Sequence, residues 1–256
     1  MVRAASLALV VGAVVALAVG WGSDASAPGS PRAKAPAPSA STSAPASDTG
    51  AATPAPGTTL TAKLSAPIPG YPAPGWPSNT TVPATYYGYP SILPVIASQP
   101  GWLEVRLAQR PNGSTTWVQQ SDVTVGDTPY EIVVNLTTMH LSVYDDGVET
   151  LDFPAGIGAP DDPTPPGTFF VFATVPPPDA SYGPFVLATS DHSDTIVDWE
   201  DSGDAIIGIH GPITSYDDSL IGNTGAAISH GCIRLHDADL SQLASIPAGT
   251  PLVIAS

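Results

Sequence analysis

Alternation of apolar and polar positions is the clearest signal in this chain. Behind Trp102, the residues Leu103, Val105 and Leu107 alternate with Glu104 and Arg106, the two-residue period of a half-buried strand. Arg110-Pro111-Asn112-Gly113 is a turn signal, and Thr115-Thr116-Trp117-Val118 predicts the next strand. Glu131-Ile132-Val133-Val134-Asn135-Leu136 and Leu141-Ser142-Val143-Tyr144 predict two more, joined near Thr137-Thr138. Asp145-Asp146-Gly147 then forms a hairpin turn. Apolar runs at 169–172, 185–189, 205–209 and 251–254 supply further strands. Helical periodicity is confined to one short stretch, 238–245, with Asp237 as N-cap. Neither βαβ alternation nor a glycine-rich phosphate loop nor a heptad is present. The pattern therefore predicts a mostly β fold, a β-sandwich or partly open barrel with one short late helix.

The first quarter of the 256-residue chain lacks this pattern. Residues 1–27 carry Arg3, an apolar run to about Gly22 and a small-x-small site at Ala25-Ser26-Ala27, the signature of an export signal. An apolar run of about twenty residues is also long enough to remain as a membrane anchor. No cysteine lies near it, which argues against a lipid-modified start. Residues 28–67 are dominated by Ala, Pro, Ser and Thr, a composition that buries too little apolar surface to offset ordering and that predicts an extended linker. Residues 68–126 are expected to form a small β module and residues 127–256 the main domain. The expected location is outside the cytoplasm, with membrane contact only through an uncleaved N-terminal segment.

Charge changes the picture of possible partners. The net charge is −16, and from Pro111 onward twenty Asp and Glu residues face a single cation, Arg234. Such a surface repels nucleic acid and anionic membranes over a Debye length of about 8 Å, so nucleic-acid binding is disfavoured.

That lone cation stands two residues after the only cysteine, in Ser229-His230-Gly231-Cys232-Ile233-Arg234-Leu235. A thiol attacks as thiolate, and in so acidic a domain only Arg234 or a protonated histidine offers local compensation. His210, His230 and His236 are candidate bases; His140 and His192 are more remote in sequence. His210 ends an apolar strand and is followed by Gly211, which lets the backbone turn away from an exposed side chain. Gly231 permits a backbone shape closed to other residues, and the N–H groups of Gly231 and Cys232 are candidate oxyanion donors. Arg234 could hold a substrate carboxylate or brace the loop, and the two readings are evenly balanced. A zinc site built from His210, His230, Cys232 and His236 lacks paired-ligand spacing, and Arg234 would oppose a dication.

Ile209-His210-Gly211 followed by Ser229-His230-Gly231-Cys232-Ile233-Arg234-Leu235 resembles the signature of the L,D-transpeptidase, or YkuD, catalytic domain. The resemblance extends over roughly 129–255 and includes Thr164-Pro165-Pro166-Gly167-Thr168-Phe169, Tyr182-Gly183-Pro184-Phe185 and Ala248-Gly249-Thr250-Pro251. The preceding β module resembles the SH3-like modules of exported bacterial wall enzymes. The catalytic-domain resemblance implies that Cys232 is the nucleophile, His210 the general base and Gly211 the residue whose carbonyl orients that base. It further implies that His230, Gly231 and Cys232 form the oxyanion segment; Arg234 stands at a position the family fills with Arg or Asn, and Ser229 and Arg234 are candidate substrate-binding residues. The implied substrate is a peptidoglycan stem peptide: D-Ala leaves, a thioester remains, and a second stem amine resolves it into a 3-3 cross-link. No metal or organic cofactor is implied, and carbapenems are expected to acylate the same cysteine. A hydrolytic L,D-carboxypeptidase, or a wall-binding protein with a degenerate site, is the alternative.

Overall fold

The alternating stretches become strands in the computed structural model, which describes residues 57–199, 202–222 and 226–256. The signal or anchor reading of 1–27 and most of the linker lie outside the described residues. Strands β1 (Thr59–Lys63), β2 (Ile68–Gly70), β3 (Thr80–Val82), β4 (Thr85–Tyr86), β5 (Tyr89–Pro90), β6 (Ile92–Gln99), β7 (Trp102–Arg106), β8 (Thr115–Gln119) and β9 (Thr124–Thr128) come first. Five of them form one antiparallel sheet in the order β8-β7-β6-β1-β9. Strand β1 falls inside the stretch expected to be linker, so the folded chain begins earlier than residue 68. Its single apolar side chain of size, Leu60, is too little signal among Ala, Pro and Thr neighbours to reveal a strand whose partners lie far along the chain.

The second half contributes β10 (Tyr130–Asn135), β11 (His140–Asp145), β12 (Val148–Pro154), β13 (Ile157–Gly158), β14 (Gly167–Val175), β15 (Val186–His192), β16 (Ile206–His210), β17 (Ala227–Ser229), β18 (Ile233–Arg234) and β19 (Pro251–Ala255). Eight of these build a curled sheet in the order β12-β11-β10-β19-β14-β15-β16-β18. Asn135 shapes the first hairpin by accepting the N–H groups of Thr137 and Thr138, each at 2.9 Å. Asp146 and Gly147 shape the second with φ of 49° and 77°, the geometry a two-residue hairpin turn demands.

Buried Ile132, Val134, Leu141, Val143, Leu252 and Ile254 line one face of this sheet. The continuous run Phe169–Ala173 in β14 is buried on both faces, as an apolar run without alternation should be. Phe169 and Val171 enter the main core, whereas Phe170 and Phe172 enter the core of the first sheet beside Leu93, Leu103 and Val105. The N-terminal module thus packs directly on the back of β14.

The mostly β, half-barrel architecture agrees with the pattern, and the helices differ in detail. The late helix α2 spans Asp237–Gln242, and its N-cap is His236, which makes no side-chain cap bond. Asp237 was expected to cap it. Instead Asp237 is the first helical residue, and its carboxylate packs where a Cβ on Gly183 or Gly211 would stand. A second short helix, α1 (Ser215–Leu220), precedes it; Thr214 caps α1 by accepting the Asp217 N–H at 3.0 Å. Its six residues carry no buried side chain, so helical periodicity never appears in the sequence.

Candidate active site

Two parallel strands position the reactive groups. Strands β16 and β18 pair with Ile209 opposite Ile233 and His210 opposite Arg234. That register, extended back by one residue, sets Cys232 beside Gly208, and the Gly208 N–H donates to the Cys232 Sγ at 3.4 Å. His210 lies two residues further along the same strand, roughly 7 Å of rise away. The reactive thiol candidate and the base candidate are therefore carried by one short edge of the sheet.

His210 is only 3% exposed. Its Nδ1 lies 2.7 Å from the Gly211 carbonyl. A carbonyl only accepts, so Nδ1 carries the hydrogen and Nε2 keeps the lone pair a base needs. The Gly211 N–H is in turn anchored on the Tyr182 carbonyl at 2.8 Å, and the Tyr182 ring sits 4.7 Å from the imidazole. Burial pushes the His210 pKa down to about 4; the Gly211 bond opposes this and the Arg234 charge adds to it.

Cys232 is free and half-buried. The protein around the sulfur pushes its pKa up; the Gly208 N–H and Arg234 lower it, and Asp191 raises it further. Compensation by Arg234 thus acts in the direction expected from the sequence, but burial outweighs it. At neutral pH the pair rests as thiol and neutral imidazole.

The loop before Cys232 is braced from two sides. Gly231 has φ +112°, a conformation that favours glycine, and a Cβ there would also press on the tip of the Ile207 side chain at 2.6 Å. Its carbonyl accepts the buried Thr164 hydroxyl at 2.7 Å, and that hydroxyl accepts the Gly158 N–H at 2.9 Å. Ser229, expected to face substrate, turns inward: its hydroxyl donates to the Cys232 carbonyl and accepts the Gly231 N–H at 3.1 Å. An oxyanion role for the Gly231 N–H therefore requires exchanging that bond for a substrate oxygen.

Arg234 is 9% exposed, and its Nη1 donates to Asp217 at 2.9 Å and to the Pro212 carbonyl at 3.4 Å. These contacts brace the segment that leads from His210 into α1. Its Nε is buried without a partner. His236, at the start of α2, bonds Asp218 of α1 at 2.6 Å. His230 is exposed, with its ring 5.3 Å from that of Trp199. His140 bonds Asp152 at 2.9 Å on the hairpin, and His192 is buried against Asn112 and Tyr87. Among the described residues no three His, Cys, Asp or Glu side chains form a metal-ready cluster.

The structure thus brings Cys232, His210, Gly211, Gly231 and Arg234 together and leaves His230 at the rim. Sequence reading missed Thr164, Gly208, Tyr182 and Asp217. Thr164 and Tyr182 stand in segments singled out by resemblance, which was the available signal; nothing marked Gly208 or Asp217.

A thiol and a carbonyl-anchored imidazole on the edge of a β half-barrel make a site suited to thiol-based acyl chemistry. Residues 129–254 match the family model of the L,D-transpeptidase catalytic domain, YkuD. Residues 129–254 are therefore a domain of that family. Proteins of Bacillus licheniformis and Bacillus subtilis named for the L,D-transpeptidase YkuD are each 32% identical, over 127 and 129 residues. Each alignment covers 49% of this chain and 66% of the relative, so the chain spans about two-thirds of the length of the curated relatives it matches. Among solved structures, an L,D-transpeptidase from Mycobacterium smegmatis aligns with a TM-score of 0.39 at 18% identity, covering 60% of this chain and 91% of that one. One from Mycobacterium tuberculosis aligns with a TM-score of 0.37 at 18% identity, covering 58% and 75%. No helix among the described residues is long and apolar enough to cross a membrane.

Proposed function

We propose that this protein is an exported peptidoglycan L,D-transpeptidase that forms 3-3 cross-links, with Cys232 as nucleophile and His210 as general base. The observation that supports it best is the buried His210, its Nδ1–H bound to the Gly211 carbonyl, on the strand whose Gly208 N–H contacts the Cys232 sulfur. Sγ attacks the carbonyl between the L-centre of the third stem residue and the terminal D-Ala while Nε2 takes the thiol proton. The oxyanion is received by N–H groups of the 230–232 segment. Collapse breaks the C–N bond, the imidazolium returns its proton to the departing D-Ala amine, and a thioester remains on Cys232. The side-chain amine of a second stem then attacks the thioester, loses its proton to Nε2, and restores the thiol. These steps use no metal or organic cofactor, and carbapenems would acylate the same sulfur.

The deciding experiment is mass spectrometry of products from a tetrapeptide donor. Cross-linked dimers and free D-Ala are expected, together with loss of turnover and of the carbapenem mass increment in Cys232→Ala. Tripeptide without dimer would reassign the protein as a carboxypeptidase, and a carbapenem adduct that survives Cys232→Ala would sink the nucleophile assignment.

A further inference from the structure

The polar contact between the N-terminal module and the catalytic domain is concentrated on the turn 110–113. Asn112 pairs both ways with the main chain of His192, donating to its carbonyl at 2.8 Å and accepting its N–H at 3.0 Å. Arg110 reaches three acceptors in different directions: the Ser193 carbonyl at 2.9 Å, the Ile196 carbonyl at 3.2 Å and Asp204 Oδ1 at 2.9 Å. Asp204 also accepts the Tyr87 hydroxyl at 2.7 Å, and its carbonyl accepts the Trp199 N–H at 2.9 Å. The segment 193–199 is thus clasped by Arg110 at its start and through Asp204 at its end.

That segment connects to the loop of the reactive thiol by two routes. Thr195 donates to Asp162 at 3.0 Å, in the loop whose Thr164 holds the Gly231 carbonyl. Trp199, 39% exposed, leans on His230, two residues from Cys232. Neither ring has a part in the proposed thiol chemistry. The segment and its closing residue carry Asp194, Asp198 and Asp204, and Arg110 brings the cation that offsets their mutual repulsion. A lysine could satisfy one of these acceptors but lacks the planar fork that spans three.

We infer that Arg110 is a positioning residue of the active site: it holds segment 193–199 so that Trp199 stands against His230 and restricts the bulk of what reaches Cys232. The N-terminal module thereby forms part of the cleft's construction. The inference rests on Cys232 being the reactive thiol and is independent of which peptide it attacks.

The test compares Cys232 alkylation by iodoacetamide and by a bulky maleimide in the full chain. Arg110→Ala should raise the bulky-to-small rate ratio roughly tenfold, the scale of losing charge-assisted hydrogen bonds at a partly exposed site. Arg110→Lys should recover part of the difference. Trp199→Ala should raise the ratio by itself, and adding Arg110→Ala to it should change nothing more, because the arginine acts through the ring. Amide exchange should quicken in 193–199 and 229–232 of Arg110→Ala and stay slow in β10 and β14. An unchanged ratio, additive effects in the double variant, or quickened exchange throughout the core would each overturn the inference. Neither readout uses a stem peptide, so absence of cross-linking in the parent protein would count against the proposed function alone.

Discussion

Replacing His210 by asparagine tests the neutral resting state of the site, because Asn keeps an N–H donor for the Gly211 carbonyl but cannot titrate. His210 is depressed to about 4 chiefly by burial, whereas an imidazole in the unfolded chain titrates near 6.5. Between those values the unfolded chain binds a proton that the folded protein refuses. The stability associated with a neutral His210 is therefore complete above pH 6.5 and is lost as pH falls toward 4. A gap of about 2.5 units corresponds to about 3 kcal/mol. Urea unfolding of the parent and of His210→Asn at pH 7, 5.5 and 4 isolates this quantity, since the many carboxylates titrate in both proteins and cancel in the difference. The advantage of the parent over the variant should shrink by about 1.4 kcal/mol at pH 5.5 and about 3 kcal/mol at pH 4. Parallel curves would refute the reasoning, for they would mean that His210 takes up protons as freely as a solvated imidazole.

Thr164→Val preserves shape but orphans the Gly158 N–H and the Gly231 carbonyl, which are bridged by one buried hydroxyl. A loss of about 2–4 kcal/mol in urea unfolding is expected, together with slower acylation of Cys232. A loss below about 0.5 kcal/mol would show the bridge to be dispensable. Asp191 is fully buried with Oδ2 unpartnered, and burial, with Asp194, pushes its pKa up to about 8. A raised carboxyl favours folding below its unfolded value and loses that contribution as pH rises toward 8, so Asp191→Asn should gain on the parent by about 3–5 kcal/mol between pH 4 and 8. A pH-independent difference in thermal melts would contradict this. Asp217→Asn removes the charged partner of Arg234; a stability loss of about 1–3 kcal/mol is expected, and an unchanged unfolding midpoint would show that the pair does not brace the segment after His210.

Legibility in the sequence followed how unusual each residue type was in its surroundings. Cys232 and Arg234 stood out because the chain has one thiol and its last 146 residues have one cation. The strands of the half-barrel were readable because β10, β11 and β19 alternate in register with a core on one face. The supports were not readable. Thr164 reaches Gly231 across 67 residues and Asn112 reaches His192 across 80, and nothing local to either residue points to its distant partner. Ordinary residues acquire such tasks only when sheet register brings distant turns together. The turn at 110–113 had a sufficient local explanation as a turn, and that hid its hold on the catalytic domain. Ser229 misled for the opposite reason: its place beside the thiol suggested substrate, while the tight turn at Gly231 draws its hydroxyl back into the loop.

Arg234 draws these observations together. From sequence its charge was a counterweight that would lower the thiol pKa and favour a standing thiolate. In the structure it lowers the pKa of Cys232 and of His210 alike, and burial then raises the first while lowering the second further. A cation beside both groups stabilises negative charge on sulfur and penalises positive charge on the imidazole, so a preformed thiolate–imidazolium pair gains little from it. In the proposed reaction, what it would favour is a neutral base that receives the proton as the sulfur commits to the carbonyl and negative charge passes onward to the oxyanion. Asp217 tempers the same guanidinium at 2.9 Å. Asp217→Asn should therefore depress His210 further and shift the acid limb of the acylation rate to lower pH, in the direction opposite to a simple loss of structure.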